Sequence, residues 1–157
     1  RRASGAGDVA GVTGDFAGLA ALQKQLAAVA AKGRRVAIKA MASEATDLVA
    51  DGFRVSVSPS GARWRPLAQA RARNRRKGDR GKPLVDTGRL RASGTTRPRV
   101  GEDGFAITAD PIYAATHQYG RGAIPARPFL PLPDLPAAWR ERLADAAREA
   151  MATLISA

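Results

Sequence analysis

The chain has 157 residues, a net charge of +12, 45% hydrophobic residues and no cysteine. This length suits one domain with a single core, and the lack of cysteine excludes disulfides, thiolate metal sites and cysteine nucleophiles. No apolar run approaches the roughly 20 residues that a membrane-spanning helix needs, so we expect no membrane partner.

The N-terminal third predicts a flexible arm followed by two helices. Residues 1–14 are rich in Gly and Ala and have little to bury, so they predict an arm, and residues 15–157 predict a single α+β domain. Asp15 is a candidate N-cap for a helix that runs to Lys32 and ends at Gly33. A second helix is predicted over residues 34–51, ended by Gly52. Both carry apolar residues at helical spacing, which indicates core packing: Phe16, Leu19, Leu22, Leu26, Val29, Ile38, Met41, Ala45 and Leu48.

The next segment alternates in a pattern typical of a strand. Phe53, Val55 and Val57 would lie on one face of a strand over residues 53–58. A turn at residues 59–61 follows, and Trp64 is expected to cover an edge of the core.

A strongly basic segment comes after this strand. Residues 63–99 hold 13 basic and 2 acidic side chains, so they supply most of the net charge. Residues 70–83 are predicted to form a long loop, mobile unless a partner holds it, because so few apolar groups cannot offset the loss of backbone entropy. Three interpretations stay open: a solvated loop, contact with phosphates, or docking on an acidic protein surface. The candidate contact residues are Arg71, Arg73, Arg75, Arg76, Lys77, Arg80 and Lys82.

Short elements are predicted for the following part of the chain. Residues 84–93 predict a helical turn that carries Leu90. Residues 95–100 and 105–109 predict two strands, joined by a hairpin turn at residues 101–104. Pro111 is expected to open a short helix that ends at Gly120.

The C-terminal part predicts an extended segment and a final helix. Residues 120–133 contain too many Gly and Pro for a helix. Asp134 is the candidate cap of the last helix, with Pro136 in its first turn. The predicted buried stripe of this helix is Trp139, Leu143, Ala147, Ala150 and Leu154.

These elements predict an α+β fold. We expect a small, mainly antiparallel β-sheet, with two N-terminal helices and a C-terminal helix packed on it. The long basic loop is inserted after the first strand.

The sequence offers little for catalysis. His117 is the only histidine, so a hydrolase triad would have to use it, and no nucleophile elbow accompanies it. No carboxylate pair has metal-ligand spacing, and no phosphate-binding loop is present. We therefore predict no catalytic residue, no cofactor and no metal, and we interpret His117 as a packed or interface side chain.

An ordered series of motifs resembles one known family. W-x-P-L at residues 64–67 is followed by the basic spacer, by L-x-x-T-G-x-L-x-x-S at residues 84–93, and by the hairpin. Y-A-x-x-H-Q-x-G at residues 113–120 and I-P-A-R-P-F-L at residues 124–130 complete the series. The series is similar to that of the phage virion morphogenesis, or tail completion, family of tailed bacteriophages and prophages.

This resemblance implies a structural protein without enzymatic activity. Such proteins form rings, six-fold to match the tail, at the head–tail neck, where they complete the tail and join it to the head connector. The implied partners are other copies of the chain, head-connector and tail tube or sheath proteins, and passing DNA contacted non-specifically. The implied location is the virion, with host cytoplasm during assembly.

Particular residues acquire architectural or subunit-interface roles from the motifs. A stiff strap around Arg127 and Phe129 would serve the chain's own sheet edge or a neighbouring subunit. The full set is Trp64, Tyr113, His117, Gln118, Tyr119, Arg127 and Phe129. The alternative function is a free-standing DNA- or RNA-binding protein that acts through residues 63–99.

Overall fold

The computed structural model describes residues 17–68, 82–95, 98–131 and 133–156. The chain divides into two units, Arg1–Lys32 and Gly33–Ala157. The predicted arm, the Asp15 cap and six of the seven candidate basic contact residues lie outside the described residues. The elements are α1 (Ala17–Val55), α2 (Arg89–Thr95), β1 (Arg99–Val100), β2 (Phe105–Ala106), α3 (Ala114–Tyr119) and α4 (Ala137–Ile155).

The mixture of helices with a small antiparallel sheet agrees with the predicted α+β class. The sheet is smaller than expected, because the described residues form one two-stranded hairpin. Arg99 pairs with Ala106 and Val100 with Phe105, and the Gly101 N–H donates to the Gly104 carbonyl at 2.8 Å to close the predicted turn. Helices dominate the described part of the chain, and the hairpin is an accessory to them.

The predicted division into two N-terminal helices is wrong. Helix α1 continues through Gly33, which is buried. A Cβ at Gly33 would lie 2.9 Å from Cε and 3.2 Å from Sδ of Met151 in α4. Glycine weakens a helix interior by about 1 kcal/mol relative to alanine, and here it lets the Met151 side chain approach the helix backbone. This glycine therefore serves close packing between two helices and does not end α1.

The predicted strand over residues 53–58 is also wrong. Phe53 lies in the last turns of α1, and it is 1% exposed together with Val49, one helical turn earlier. Ser56 has a φ of 58°, and the Val57 N–H donates to the Gly52 carbonyl at 3.0 Å. A left-handed residue followed by this hydrogen bond is the Schellman ending of a helix. The alternation of Phe53, Val55 and Val57 thus spans a helix end, and Val57 forms only an isolated bridge with Arg63.

Helix α4 begins later than its predicted cap. Its N-cap is Pro136, without a side-chain cap hydrogen bond. Asp134 lies two residues before that position, so its predicted capping role is wrong. The predicted stripe is confirmed at Trp139 and Leu143, which are buried.

Helices α1 and α4 run in opposite directions where they meet. Gly33 faces Met151, and Nη2 of Arg142 lies 2.6 Å from Oε1 of Glu44. Residue numbers therefore increase along α1 in the direction in which they decrease along α4, so the two helices are antiparallel.

The core lies beside the C-terminal half of α1. Trp64 packs edge-on against Phe53, with ring centroids 5.4 Å apart at 75°. Phe129 packs on the other side of Phe53, at 5.7 Å and 44°. The buried cluster consists of Val49, Phe53, Trp64, Leu84, Val85, Leu90, Ala114, Phe129 and Trp139. Trp64 was expected at a core edge, and it is 5% exposed.

Within the described residues, no helix is both long and apolar enough to cross a membrane.

Candidate functional site

The segment that carries the chain's only histidine forms a short helix. The extended strap around Arg127 and Phe129 follows and runs back beside this helix. Helix α3 covers Ala114–Tyr119 and ends at Gly120, as the sequence predicts. Gly120 has φ 78° and ψ 158°, a region open mainly to glycine. A Cβ at this position would lie 2.9 Å from the backbone nitrogen of Ala126. Glycine here lets the returning chain pass directly against the end of the helix.

Gln118 binds the strap with its whole amide group. Its Oε1 accepts the backbone N–H groups of Phe129 at 3.0 Å and Leu130 at 3.1 Å, and its Nε2 donates to the Leu130 carbonyl at 2.9 Å. The residue is 5% exposed. A buried side chain with both ends of its amide satisfied fixes the strap in one register.

Arg127 joins the strap to the segment after Trp64. Its Nε donates to the Arg65 carbonyl at 2.8 Å, and its Nη2 donates to the Pro66 carbonyl at 3.1 Å. The side chain is buried, at 5% exposed. The planar guanidinium suits this task because its donors point in fixed, forked directions. Arg127 is therefore a structural cation inside the domain.

Trp64 and Phe129 complete the same junction. Nε1 of Trp64 donates to the Pro128 carbonyl at 2.7 Å, so the indole is both packed and hydrogen-bonded. Phe129 is 3% exposed. Trp64 thus joins Gln118, Arg127 and Phe129, which lie much later in the sequence, in one intrachain junction, which we call the strap junction.

His117 contributes to this junction through its backbone. Its carbonyl accepts the Arg127 N–H at 2.7 Å. Its ring contacts Tyr113 edge-on, with centroids 5.8 Å apart at 75°. Tyr113 is 38% exposed and Tyr119 is 67% exposed. The two tyrosines are the predicted interface residues that reach the surface most, and their role in subunit contact stays a prediction.

An open groove of about 620 Å³ lies beside α2, α3 and the strap. Its lining combines apolar and polar groups, including Thr87, Leu90, Tyr113, His117 and Ile124. Within the described residues, no cluster of His, Cys, Asp or Glu could hold a metal ion. Asp86 borders the same groove, so its polar lining includes a carboxylate as well as the imidazole of His117.

The basic side chains in the described part of the basic segment face the solvent. The described cations between residues 63 and 99 are all exposed: Arg63, Arg65, Lys82, Arg89, Arg91 and Arg99. Lys82 is the one predicted contact residue within the described structure. Arg71, Arg73, Arg75, Arg76, Lys77 and Arg80 lie outside it, so their contact role stays a prediction.

The sequence singled out the members of the strap junction as candidates for an architectural or subunit-interface role, but it did not indicate the groups to which they bond. The backbone carbonyls of Arg65 and Pro66, which accept from Arg127, leave no mark in a sequence pattern. A signal was available for Leu84 and Val85, a buried apolar pair directly after a basic run. The sequence reading treated Leu84 as a motif position and did not place either residue in the core.

One comparison with known proteins gave a match. The model of the phage virion morphogenesis family matches residues 17–152, a span that contains α1, the strap junction and most of α4. No curated protein and no solved structure matches the chain.

Proposed function

Because the chain belongs to the phage virion morphogenesis family, we propose that it is a tail completion protein that forms a ring at the head–tail neck. Membership in this family implies a role in building the phage virion and association with it. The position at the neck, the ring and the joining of tail to head connector are the proposed part. We propose six copies in the ring, to match the tail.

The observation that carries this proposal is the family match over nearly the whole chain. It covers residues 17–152 of 157, so α1 and most of α4 are included together with the short central motifs. The hydrogen bonds that the motif residues form support the same proposal. The side chains of Gln118 and Arg127 donate hydrogen bonds to backbone atoms of this chain, as expected of residues that maintain its fold. We propose that the protein acts through this shape and catalyses no reaction.

Exposed surfaces of the chain are the candidate sites of contact with the proposed partners. Tyr119 and Ile112 are 67% and 98% exposed, and large exposed apolar side chains are typical of protein contact surfaces where they cluster. A ring also needs two different contact faces on each copy, because a heterologous interface closes a cycle. The remaining proposed neighbours are the head connector and the tail tube or sheath.

The basic segment has two proposed uses within the ring. If it faces the channel, its cations contact the phosphates of passing DNA without reading its sequence. If it faces another ring, its arginines dock on an acidic protein surface. The exposed Arg89, Arg91 and Arg99 are compatible with both uses.

A free-standing nucleic-acid-binding protein is the second candidate, favoured by the concentration of charge. Residues 63–99 carry 13 basic and 2 acidic side chains, enough to give salt-dependent binding to DNA or RNA. In that case the positive patch would do the main work, and no ring would be needed.

Disruption of the gene in the phage or prophage that encodes this chain tests the proposal. We expect the lysate to contain heads filled with DNA and separate tails, visible by negative-stain electron microscopy, with infectivity restored by the wild-type gene. Complete infective particles from the disrupted gene would reject the structural role. If the purified chain then retarded DNA at physiological salt, the second candidate would replace it.

A further inference from the structure

The groove beside α2, α3 and the strap has a basic edge. Arg89 lines the groove and is exposed, while Asp86 carries the carboxylate among the described lining residues. Ala68 and Leu84 also line the groove, and the sequence between them, residues 69–83, holds seven basic side chains and one acidic side chain. Both ends of this basic run therefore lie at the groove, which favours an acidic occupant.

The size and the apolar lining of the groove suit a short turn of polypeptide. Its volume of about 620 Å³ lies within the range of roughly 300–1,000 Å³ that is typical of pockets for small ligands. Leu67 and Ile124 contribute apolar surface to the lining, and Ile124 is 43% exposed. An occupant that carries both an acidic and an apolar side chain would match this lining.

The hairpin of β1 and β2 carries such a combination at its tip. Glu102 and Asp103 are the only two acidic residues that are adjacent in the sequence, and both are exposed. Val100, directly before the turn, is 40% exposed, and Arg99 lies at the end of the hairpin farther from the turn. An isolated two-stranded hairpin is marginally stable in water, so contact with another molecule would support it.

One weak contact holds this acidic tip beside α1. Nη1 of Arg34 lies 3.1 Å from Oδ1 of Asp103, and the two side chains are 60% and 86% exposed. Ion pairs as exposed as this one stabilise a protein little, because water and salt screen them. Asp103 can therefore exchange Arg34 for a cation of another molecule at little cost.

The tip and the groove of one copy lie at different positions along α1. The tip is beside Arg34, whereas Leu84, which lines the groove, packs in the buried cluster with Val49. Arg34 and Val49 are 15 positions apart in α1, which corresponds to about 22 Å along the helix. Each copy therefore presents an acidic surface and a basic surface in separate places.

We propose that the tip formed by Glu102 and Asp103 docks in the groove of the next copy of this chain, against Arg89. Copies with a charge of +12 repel each other over most of their surfaces, so a contact between them must pair acidic groups with basic ones. Each copy gives its tip to one neighbour and receives the tip of another, and such a heterologous contact can close a ring. The inference rests on the proposed ring and identifies two faces through which its copies meet.

The absence of natural cysteine gives a direct test. A variant with Asp103→Cys and Thr87→Cys has one thiol at the tip and one at the exposed edge of the groove. It is treated with a short bis-maleimide cross-linker, both as concentrated purified protein and in particles from complementation of the disrupted gene. We expect a ladder of covalent dimers, trimers and larger oligomers in a denaturing gel in at least one setting, because each copy is linked to two neighbours.

A matched control moves the first thiol to another exposed acidic position. Glu149 is exposed on α4, so Glu149→Cys combined with Thr87→Cys keeps the number of thiols and removes the same charge. We expect this control to give a several-fold lower yield of oligomers than the variant with Asp103→Cys.

A charge reversal checks the same contact without cross-linking. Glu102→Lys places a cation against Arg89, and Glu149→Lys makes the same change in net charge elsewhere. When each gene complements the disrupted phage, we expect several-fold fewer infective particles from Glu102→Lys than from Glu149→Lys. Adding Arg89→Glu to Glu102→Lys in the same chain should raise the titre again, since the reversed charges then attract. Far-ultraviolet circular dichroism should remain at the wild-type level, since all three side chains are exposed.

The remaining outcomes separate this inference from the proposed function. A ring in the particle without the ladder, or with an equal ladder from the control, overturns the docking of the tip and leaves the ring intact. Dimers alone, or a link from the thiol at position 103 to a different protein, also overturn it. Equal titres from Glu102→Lys and Glu149→Lys, or no gain from Arg89→Glu, would show that the two charges do not meet. A chain that is solitary in the particle overturns the docking and the ring together.

Discussion

Gln118 and Phe129 are joined by a buried hydrogen bond, in which the side-chain Oε1 of Gln118 accepts the backbone N–H of Phe129 at 3.0 Å. The bond connects the end of α3 to the strap that carries the largest apolar anchor of the motif. It explains why a glutamine lies among core residues: in the part of the chain that the structure describes, no strand pairs with the extended strap, so its backbone groups bond to side chains instead. The strap junction gives these backbone groups the hydrogen-bond partners that an adjacent strand would otherwise provide.

Replacing Gln118 with alanine should destabilise the domain strongly. The substitution leaves the N–H groups of Phe129 and Leu130 and the Leu130 carbonyl without their partner in a buried site. Each buried polar group left unsatisfied costs about 1–3 kcal/mol, so the loss of three partners predicts a decrease of at least about 3 kcal/mol in the free energy of unfolding. Urea denaturation followed by circular dichroism measures it.

Tyr119→Ala is the matched control for this prediction. Tyr119 is the next residue on α3 but is 67% exposed, so its removal should change stability by less than about 0.5 kcal/mol. Equal midpoints for Gln118→Ala and wild type would show that the strap is held by other contacts.

Phe53 and Val55 distinguish the helix seen in the structure from the strand suggested by the sequence. On a strand both would share one buried face, whereas on α1 Phe53 is 1% exposed and Val55 is 47% exposed. Phe53→Ala should cost about 3–5 kcal/mol, because it opens a cavity between Trp64 and Phe129. Val55→Ala should cost less than about 1 kcal/mol. Comparable losses from both substitutions, measured by chemical denaturation, would favour the strand.

Gly120 should not tolerate a side chain. Its φ of 78° and ψ of 158° are costly for other residues, by about 1–3 kcal/mol, and a Cβ would meet the backbone nitrogen of Ala126 at 2.9 Å. Gly120→Ala should therefore lower the free energy of unfolding by at least about 1 kcal/mol. Thermal denaturation reports the change.

Gly122 provides the comparison for Gly120, since it also has a positive φ, of 56°, but has open space where a Cβ would be. Asparagine tolerates this left-handed conformation, so Gly122→Asn should unfold within a few degrees of wild type. If both substitutions lowered the melting temperature equally, the close passage of the strap at Gly120 would not be the cause.

The local pattern of the sequence predicted several elements correctly, and the misses have identifiable physical causes. The hairpin turn at residues 101–104 and the glycine that ends α3 depend on residues that are close together in the chain. Both could therefore be predicted from the sequence. Gly33 resembles a helix stop, but its role depends on Met151, 118 positions along the chain. Such a contact leaves no local signal, and the length of α1 could not be inferred.

The sequence indicated candidate residues for an architectural role but not the contacts that they make. The motif singled out Gln118 and Arg127, and the structure places both within the strap junction. Their hydrogen bonds go to backbone carbonyls and N–H groups, which every residue possesses, so spacing alone could not name them. Apolar spacing likewise could not tell a core stripe from an exposed one, since Leu22, Leu26 and Val29 were predicted to pack in the core and are exposed.

Neutralising the basic segment should separate its two proposed uses. We consider a variant with Arg71, Arg73, Arg75, Arg76 and Lys77 all changed to glutamine. If the segment lines the DNA channel, particles should assemble fully but deliver DNA poorly, and the purified wild type should bind DNA with a strong dependence on salt. If the segment docks on a protein, the variant should lose head–tail joining instead. Wild-type assembly together with wild-type infectivity would reject both uses.

The central claim is that this chain works by occupying a fixed place beside copies of itself in a phage particle. Cryo-electron microscopy of the particle, with the subunit located by fitting the strap junction and α1, tests this claim most directly. The account predicts a closed ring of identical copies between head and tail. A single copy in an otherwise complete particle, or a particle that lacks the chain, would contradict it.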